Sequence, residues 1–128
     1  PKGYEVTDDV VQWAEKESAV SGGSLRVTND LAEGAEGADV LYTDVWTSMG
    51  QEAEQRVRLE AFKDYQINMD LLEMAKDDAI VLHCLPAHYG EEITREAAYS
   101  PNSAIFDEAE NRLHAEKALI VKLMGGEE

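Results

Sequence analysis

The run Ala79-Ile80-Val81-Leu82-His83-Cys84-Leu85-Pro86-Ala87-His88-Tyr89-Gly90-Glu91-Glu92-Ile93 decides how this chain is read. Four apolar residues, preceded by the turn-forming pair Asp77-Asp78, lead straight into a histidine and the only cysteine. A short apolar run bounded in this way predicts a buried strand, Ala79 to Cys84. Pro86 has no N–H and a fixed φ, so the strand must stop before it. In open α/β sheets ligands sit just beyond the C-terminal ends of strands, which puts the rarest side chains of the chain at a binding edge.

Working outward, helical and extended patterns alternate. Thr7 or Asp8 caps a helix to about Val20, with Val10, Val11, Trp13, Ala14 and Val20 as its apolar face and Gly22-Gly23 as its stop. A strand is predicted at Leu25 to Thr28, a helical turn from Asn29-Asp30 to about Glu36, and a strand from Asp39 to Trp46. Thr47-Ser48-Met49-Gly50 reads as a loop before a helix from Gln51 to about Tyr65, in which Ala53, Val57 and Ala61 form a stripe expected to lie on a sheet. Asn68 caps a helix over Met69 to Ala75, and another helix is predicted over Glu91 to Tyr99. A last strand follows at Ser103 to Phe106, then a final helix from Ala109 to Met124. This alternation predicts an α/β fold: three layers, α/β/α, around a mainly parallel sheet. No Gly-rich turn follows a predicted strand, which argues against a dinucleotide or phosphate loop.

The 128 residues are enough for one domain with a real core. Eleven basic against 27 acidic residues give a net charge of −16. Nucleic acid is an unsuitable partner for such a surface, because phosphate binding needs clustered Lys and Arg. The acidity reads as a solvated helix surface. One cysteine cannot form an internal disulfide, no apolar run approaches the ~20 residues that span a bilayer, and Pro1-Lys2-Gly3 does not resemble a signal peptide. A cytoplasmic protein away from the membrane is expected.

Asp44, His83 with Cys84, and Glu110 with Arg112 all fall just past a predicted strand end, so a parallel sheet would gather them on one rim. Each alone has an ordinary account: Asp44 as a loop cap, Cys84 as a small buried hydrophobe, Arg112 as a surface charge. All three together point to a cleft. A zinc site built from His83, Cys84, His88 and His114 is the rival reading. Adjacent residues of an extended segment face opposite ways, so His83 and Cys84 are not expected to share an ion, and no metal is predicted. The same argument weakens His83 as an activator of a nucleophilic Cys84, while His88 lies across the proline turn.

Three motifs in order, Asp39-Val40-Leu41-Tyr42-Thr43-Asp44-Val45-Trp46-Thr47-Ser48-Met49-Gly50, His83-Cys84-Leu85-Pro86-Ala87 and Phe106-Asp107-Glu108-Ala109-Glu110-Asn111-Arg112-Leu113-His114-Ala115, resemble the ornithine-binding domain of the ornithine carbamoyltransferase family. The resemblance covers nearly the whole chain. It implies carbamoyl transfer from carbamoyl phosphate to the side-chain amine of L-ornithine, giving citrulline and phosphate without a cofactor. It further implies that Asp44 grips the α-ammonium of ornithine, with Ser48 and the Met49 backbone closing over the same end. Cys84 would lie beside the reacting amine, the Leu85 carbonyl would hold the carbamoyl group, and Arg112 would reach the carbamoyl phosphate. The acceptor could also be putrescine or N-acetylornithine. A non-catalytic α/β binding module remains the alternative of a different kind.

Set against the family, the chain starts late: the first strand and helix of the ornithine domain and the whole carbamoyl-phosphate domain are expected to be missing. The expectation is therefore an N-terminally truncated ornithine-binding domain over residues 1–128, ending in an interdomain helix, and inactive alone. The resemblance implies a parent assembled as a trimer or a multiple of trimers. Tyr89 departs from the arginine that often stands at its place in the family.

Overall fold

A computed structural model describes residues 1–48, 50 and 52–125. The elements in chain order are α1 (Asp8–Ser21), α2 (Leu31–Ala35), β1 (Val40–Thr43), a 3-10 turn (Glu52–Glu54), α3 (Gln55–Phe62), α4 (Met69–Leu72), β2 (Ile80–His83), α5 (Arg95–Ala98) and α6 (Ile105–Leu123). The architecture is α/β, and β1 and β2 are parallel, pairing Val40 with Ile80 through Thr43 with His83. Parallel neighbours need a long crossover, here supplied by α3 and α4.

Alternation along the strands sorts their side chains. Leu41, Val81 and His83 turn inward and are buried, whereas Val40, Tyr42 and Ile80 turn outward. Ala35, Leu41, Ile67, Leu72, Val81, Ile93, Ala97, Ala98 and Ile105 form one apolar cluster beneath the strands. Side chains cap the short helices that close it: Asn68 accepts from the Leu71 N–H at the start of α4, and Thr94 accepts from the Ala97 N–H at the start of α5.

Several boundaries differ from the sequence expectation. Leu25 to Thr28 is not a strand; among the described residues it pairs with no strand, and its polar side chains turn to α2, where Arg26 and Thr28 both engage Glu33. A strand without a neighbour leaves its backbone groups to solvent, so local β-preference is not enough. Ser103 to Phe106 is not a strand either. Only Ser103 pairs, with Val81, and Ile105 already opens α6. Asp107 and Glu108 in its first turn suit the positive end of a helix dipole, which moves the helix start four residues ahead of the expected Ala109. The helix expected over Glu91 to Tyr99 contracts to Arg95–Ala98.

The helix expected over Gln51 to Tyr65 shortens to α3, and its stripe is not the one expected: Val57 is 64% exposed. Phe62 turns inward instead, with its ring 5.9 Å from Trp46, 4.9 Å from Tyr4 and 6.2 Å from Tyr65. In α1 the expected apolar face is uncovered, with Trp13 64% exposed. Among the described residues no helix is long and apolar enough to cross a membrane.

Candidate active site at the strand ends

Asp44 follows the last residue of β1 and Cys84 the last residue of β2, so parallel pairing brings them side by side. The Cys84 thiol donates to Asp44 Oδ1 at 3.0 Å, and the same oxygen accepts from the Val45 N–H at 2.7 Å. The carboxylate accepting its hydrogen bond raises the Cys84 thiol above its ordinary range, and partial burial adds to this. The reciprocal bond lowers the Asp44 carboxyl below its ordinary range. The pair is therefore a protonated thiol on an ionised carboxylate at neutral pH.

Arg112 is not at a strand end. It lies in the second turn of α6, and because α6 packs along β2 its guanidinium reaches the Cys84 carbonyl. The Cys84–Leu85 peptide is thus held from both sides, since the Leu85 N–H donates to His83 Nδ1 at 2.8 Å. Leu85 itself sits at φ 54°, unusual for a residue with a Cβ, and its peptide bond to Pro86 is cis. A strained residue held by its neighbours beside a cleft is a frequent mark of a functional site.

His83 is fully buried and holds this loop from behind. A backbone N–H can only donate, so Nδ1 is the acceptor toward Leu85 and the ring proton sits on Nε2, facing Glu92 Oε1 at 2.9 Å. Glu92, also fully buried, accepts in addition from the His88 N–H at 2.6 Å, tying together both ends of the proline turn. Glu108 on α6 accepts from the His83 N–H and from the Tyr42 hydroxyl, both at 3.0 Å. That bond pushes Tyr42 up to about 12.

The sequence expectation that opposed faces keep His83 and Cys84 from sharing an ion needs correction. Ligand atoms of Asp44, His83 and Cys84 lie within 4.8 Å of one another. Hydrogen bonding, not distance, is what commits this group, because both imidazole nitrogens are already engaged. His88 and His114 turn to other partners: His88 lies against Glu91 and Glu92, and His114 against Glu110 at 3.4 Å.

Beside the Asp44–Cys84 pair opens a depression of about 490 Å³, lined in part by Asp44, Ser48, Trp46, Phe62 and Tyr65. Its lining combines the aromatic rings with the anionic Asp44 and the cationic Arg58, the latter ion-paired to Glu54 at 3.1 Å. Ser48 is among its lining residues; Met49 lies outside the described residues. Glu92, Glu108 and Tyr42 were not singled out from the sequence. Nothing separates Glu92 from its neighbour Glu91 except its position one residue before the buried Ile93.

A carboxylate, a thiol and a guanidinium gather here at the C-terminal edge of a parallel strand pair, the edge at which α/β folds bind small molecules. The model of the aspartate/ornithine carbamoyltransferase Asp/Orn binding domain matches residues 1–123, and the chain belongs to that family. It is 52% identical to ornithine carbamoyltransferase of Pyrococcus abyssi over 98% of its own length and 40% of that protein. Its structure superposes on the ornithine carbamoyltransferase of Pyrococcus furiosus with a TM-score of 0.89 and 51% identity, covering 100% of this chain and 41% of the other. An acetylornithine transcarbamylase complexed with acetylcitrulline is more distant, at TM-score 0.80 and 31% identity over 96% of this chain and 37% of that one. The chain spans about 40% of the length of the curated relatives it matches.

Proposed function

We propose that this chain supplies the ornithine side of an ornithine carbamoyltransferase site, with Asp44 and Cys84 as the pair that receives the amino acid. The observation that carries this reading is the bond from the Cys84 thiol to Asp44, at the edge of an aromatic-walled depression. Here the thiol donates to the carboxylate. When ornithine arrives its α-ammonium takes that oxygen, in a charge-assisted bond worth ~1.5 to 3 kcal/mol, and the thiol is released toward the other amine.

An alkylammonium has a pKa near ~10.4, so the side-chain nitrogen must lose its proton before it attacks. Neutralising Asp44 with a cation removes the main cause of the raised Cys84 pKa, so the thiol gives up its proton to solvent more readily and the resulting thiolate takes the proton of the side-chain ammonium. The neutral amine nitrogen then bonds to the carbamoyl carbon while the carbon–oxygen bond to phosphate breaks, and the departing phosphate takes the extra N–H proton, giving citrulline and phosphate. Arg112 supports the phosphate-bearing substrate, and the Leu85 carbonyl, one residue beyond the doubly held peptide, faces the carbamoyl nitrogen. No cofactor takes part.

Asp44 also favours ornithine among related acceptors. N-acetylornithine has no α-ammonium to offer it, and putrescine has no α-carboxylate to tell its two ends apart. Carbamoyl phosphate is the second substrate, held by a partner domain against which α6 packs, in an assembly of trimers; the absence of basic clusters agrees with no nucleic-acid partner. A cytoplasmic setting is in keeping with this chemistry.

Calorimetric titration tests the reading: L-ornithine should bind the chain and slow alkylation of Cys84, while N-acetylornithine should do neither. The Asp44→Asn variant should lose ~10-fold or more of the ornithine affinity, the equivalent of one charge-assisted bond. Equal binding of ornithine and N-acetylornithine would remove the assigned role of Asp44.

A further inference from the structure

We propose that His88, Glu91 and Glu92 form a binding site for a divalent first-row transition ion, separate from the Asp44–Cys84 pair. The turn that closes the proline loop makes these side chains neighbours, since the Glu91 N–H donates to the His88 carbonyl at 3.0 Å. Glu92 is fixed from its backbone, whose carbonyl accepts from the Ile67 N–H at 2.9 Å. His88 Nδ1 stands 3.8 Å from Glu91 Oε2 and 4.0 Å from Glu92 Oε2, and all three ligand atoms lie within 4.8 Å of one another.

The observation that points to a ligand is on Glu92. Its side chain is completely buried, and while Oε1 takes two hydrogen bonds, the buried Oε2 takes none and is directed at the other two groups. A buried carboxylate oxygen left without a partner is costly. Two carboxylates and one imidazole carry a charge of about −2 when the ring is deprotonated, which a divalent ion would cancel.

Ligand atoms sit ~2.0 to 2.2 Å from zinc, which places neighbouring ligands of a tetrahedral ion ~3.3 to 3.6 Å apart. The observed separations need only a small closure. His88 is 48% exposed and Glu91 30%, so both can supply it, and their outer side leaves room for water as a further ligand. An imidazole among carboxylates suits zinc, manganese or iron better than magnesium or calcium, which favour all-oxygen sites. The group Asp44, His83 and Cys84 is equally compact but lacks this vacancy, because its imidazole is bonded at both nitrogens. Through Glu92 an ion here would also brace the loop that carries Cys84 and Leu85.

Titration of the metal-free 128-residue chain with zinc chloride at neutral pH tests the site, with cobalt as a spectroscopic probe. One saturable equivalent is expected, binding at least ~10-fold more weakly in His88→Ala and in Glu91→Gln. Cys84→Ser should bind like the parent chain, and the cobalt adduct should lack a thiolate charge-transfer band. Affinity should fall on acidification, since the imidazole must be deprotonated to ligate. The proposal is overturned by no binding, by non-saturating uptake that is the same in every variant, or by a thiolate band that disappears in Cys84→Ser.

Discussion

Asp44 and Cys84 set each other's protonation, and the sign of each effect fixes a pH window. The raised thiol contributes stability that is complete below the ordinary thiol pKa and lost as pH rises through the folded value; the lowered carboxyl contributes stability that is complete above the ordinary carboxylate pKa and lost as pH falls through its folded value. Between those limits the pair is intact. Replacing Asp44 by Asn keeps a carbonyl acceptor and removes the charge, so the midpoint of Cys84 alkylation by iodoacetamide should move to lower pH and the rate at neutral pH should rise severalfold. A rate unchanged or reduced would show that the carboxylate does not control the thiol. Both residues were legible in the sequence, because each follows an apolar strand in a parallel pattern. Glu92 and Glu108 were not. Their roles depend on which acidic side chain faces the buried His83, and a chain with 27 acidic residues gives no local mark for that choice.

At the level of elements, the caps at Gly22, Asp30 and Asn68 were readable, the one expected of Thr7 makes no side-chain bond to α1, and the apolar faces were not readable. Asn68 was expected to open a helix, and its Oδ1 accepts from the Leu71 N–H at 2.9 Å, satisfying a donor that a helix start leaves open. Asn68→Ala should lower stability by ~1 kcal/mol in urea denaturation, while Asn68→Ser should recover most of the loss. Equal destabilisation by both would mean that the cap is not the cause. The stripe on α3 failed as a guide because periodicity tells only that some face is apolar. The aromatic cluster of Tyr4, Trp46, Phe62 and Tyr65 turned the helix to half-bury Phe62 and leave Val57 outside. For α6, a favourable first turn at Asp107 and Glu108 outweighed the β-preference of Ile105 and Phe106, and this brought Arg112 to the site along the helix instead of at a strand end.

Over the whole molecule, apolar surface and backbone edges are left uncovered. Leu113, Leu119, Ile120, Leu123 and Met124 of the last helix are all more than half exposed. The free edge of β1 faces a depression of about 340 Å³, bounded across from it by Thr28, Asn29 and Tyr65. Unpaired edges and apolar faces of this extent favour association. Sedimentation of the 128-residue chain should show self-association that grows with concentration and weakens when Leu119 and Leu123 are replaced by Lys. A single monomeric species across the range would contradict it. Holding two substrates together accounts for ~7 to 11 kcal/mol of a barrier of this kind. With the chain supplying only the amine side, as proposed above, citrulline formation above a Cys84→Ala control is expected only when a carbamoyl-phosphate-binding partner is added.

The sequence alone determined the two strands before Asp44 and Cys84, their parallel pairing, and the family to which the chain belongs, because these rest on short-range patterns of apolarity, turns and motifs. Tertiary structure decided the rest. It left Leu25 to Thr28 without a partner, turned α3 toward its aromatic neighbours, carried Arg112 to the Cys84 carbonyl and buried Glu92 behind His83. Each of these outcomes depends on which groups meet across long sequence separations, where burial and hydrogen-bond satisfaction outweigh local preference.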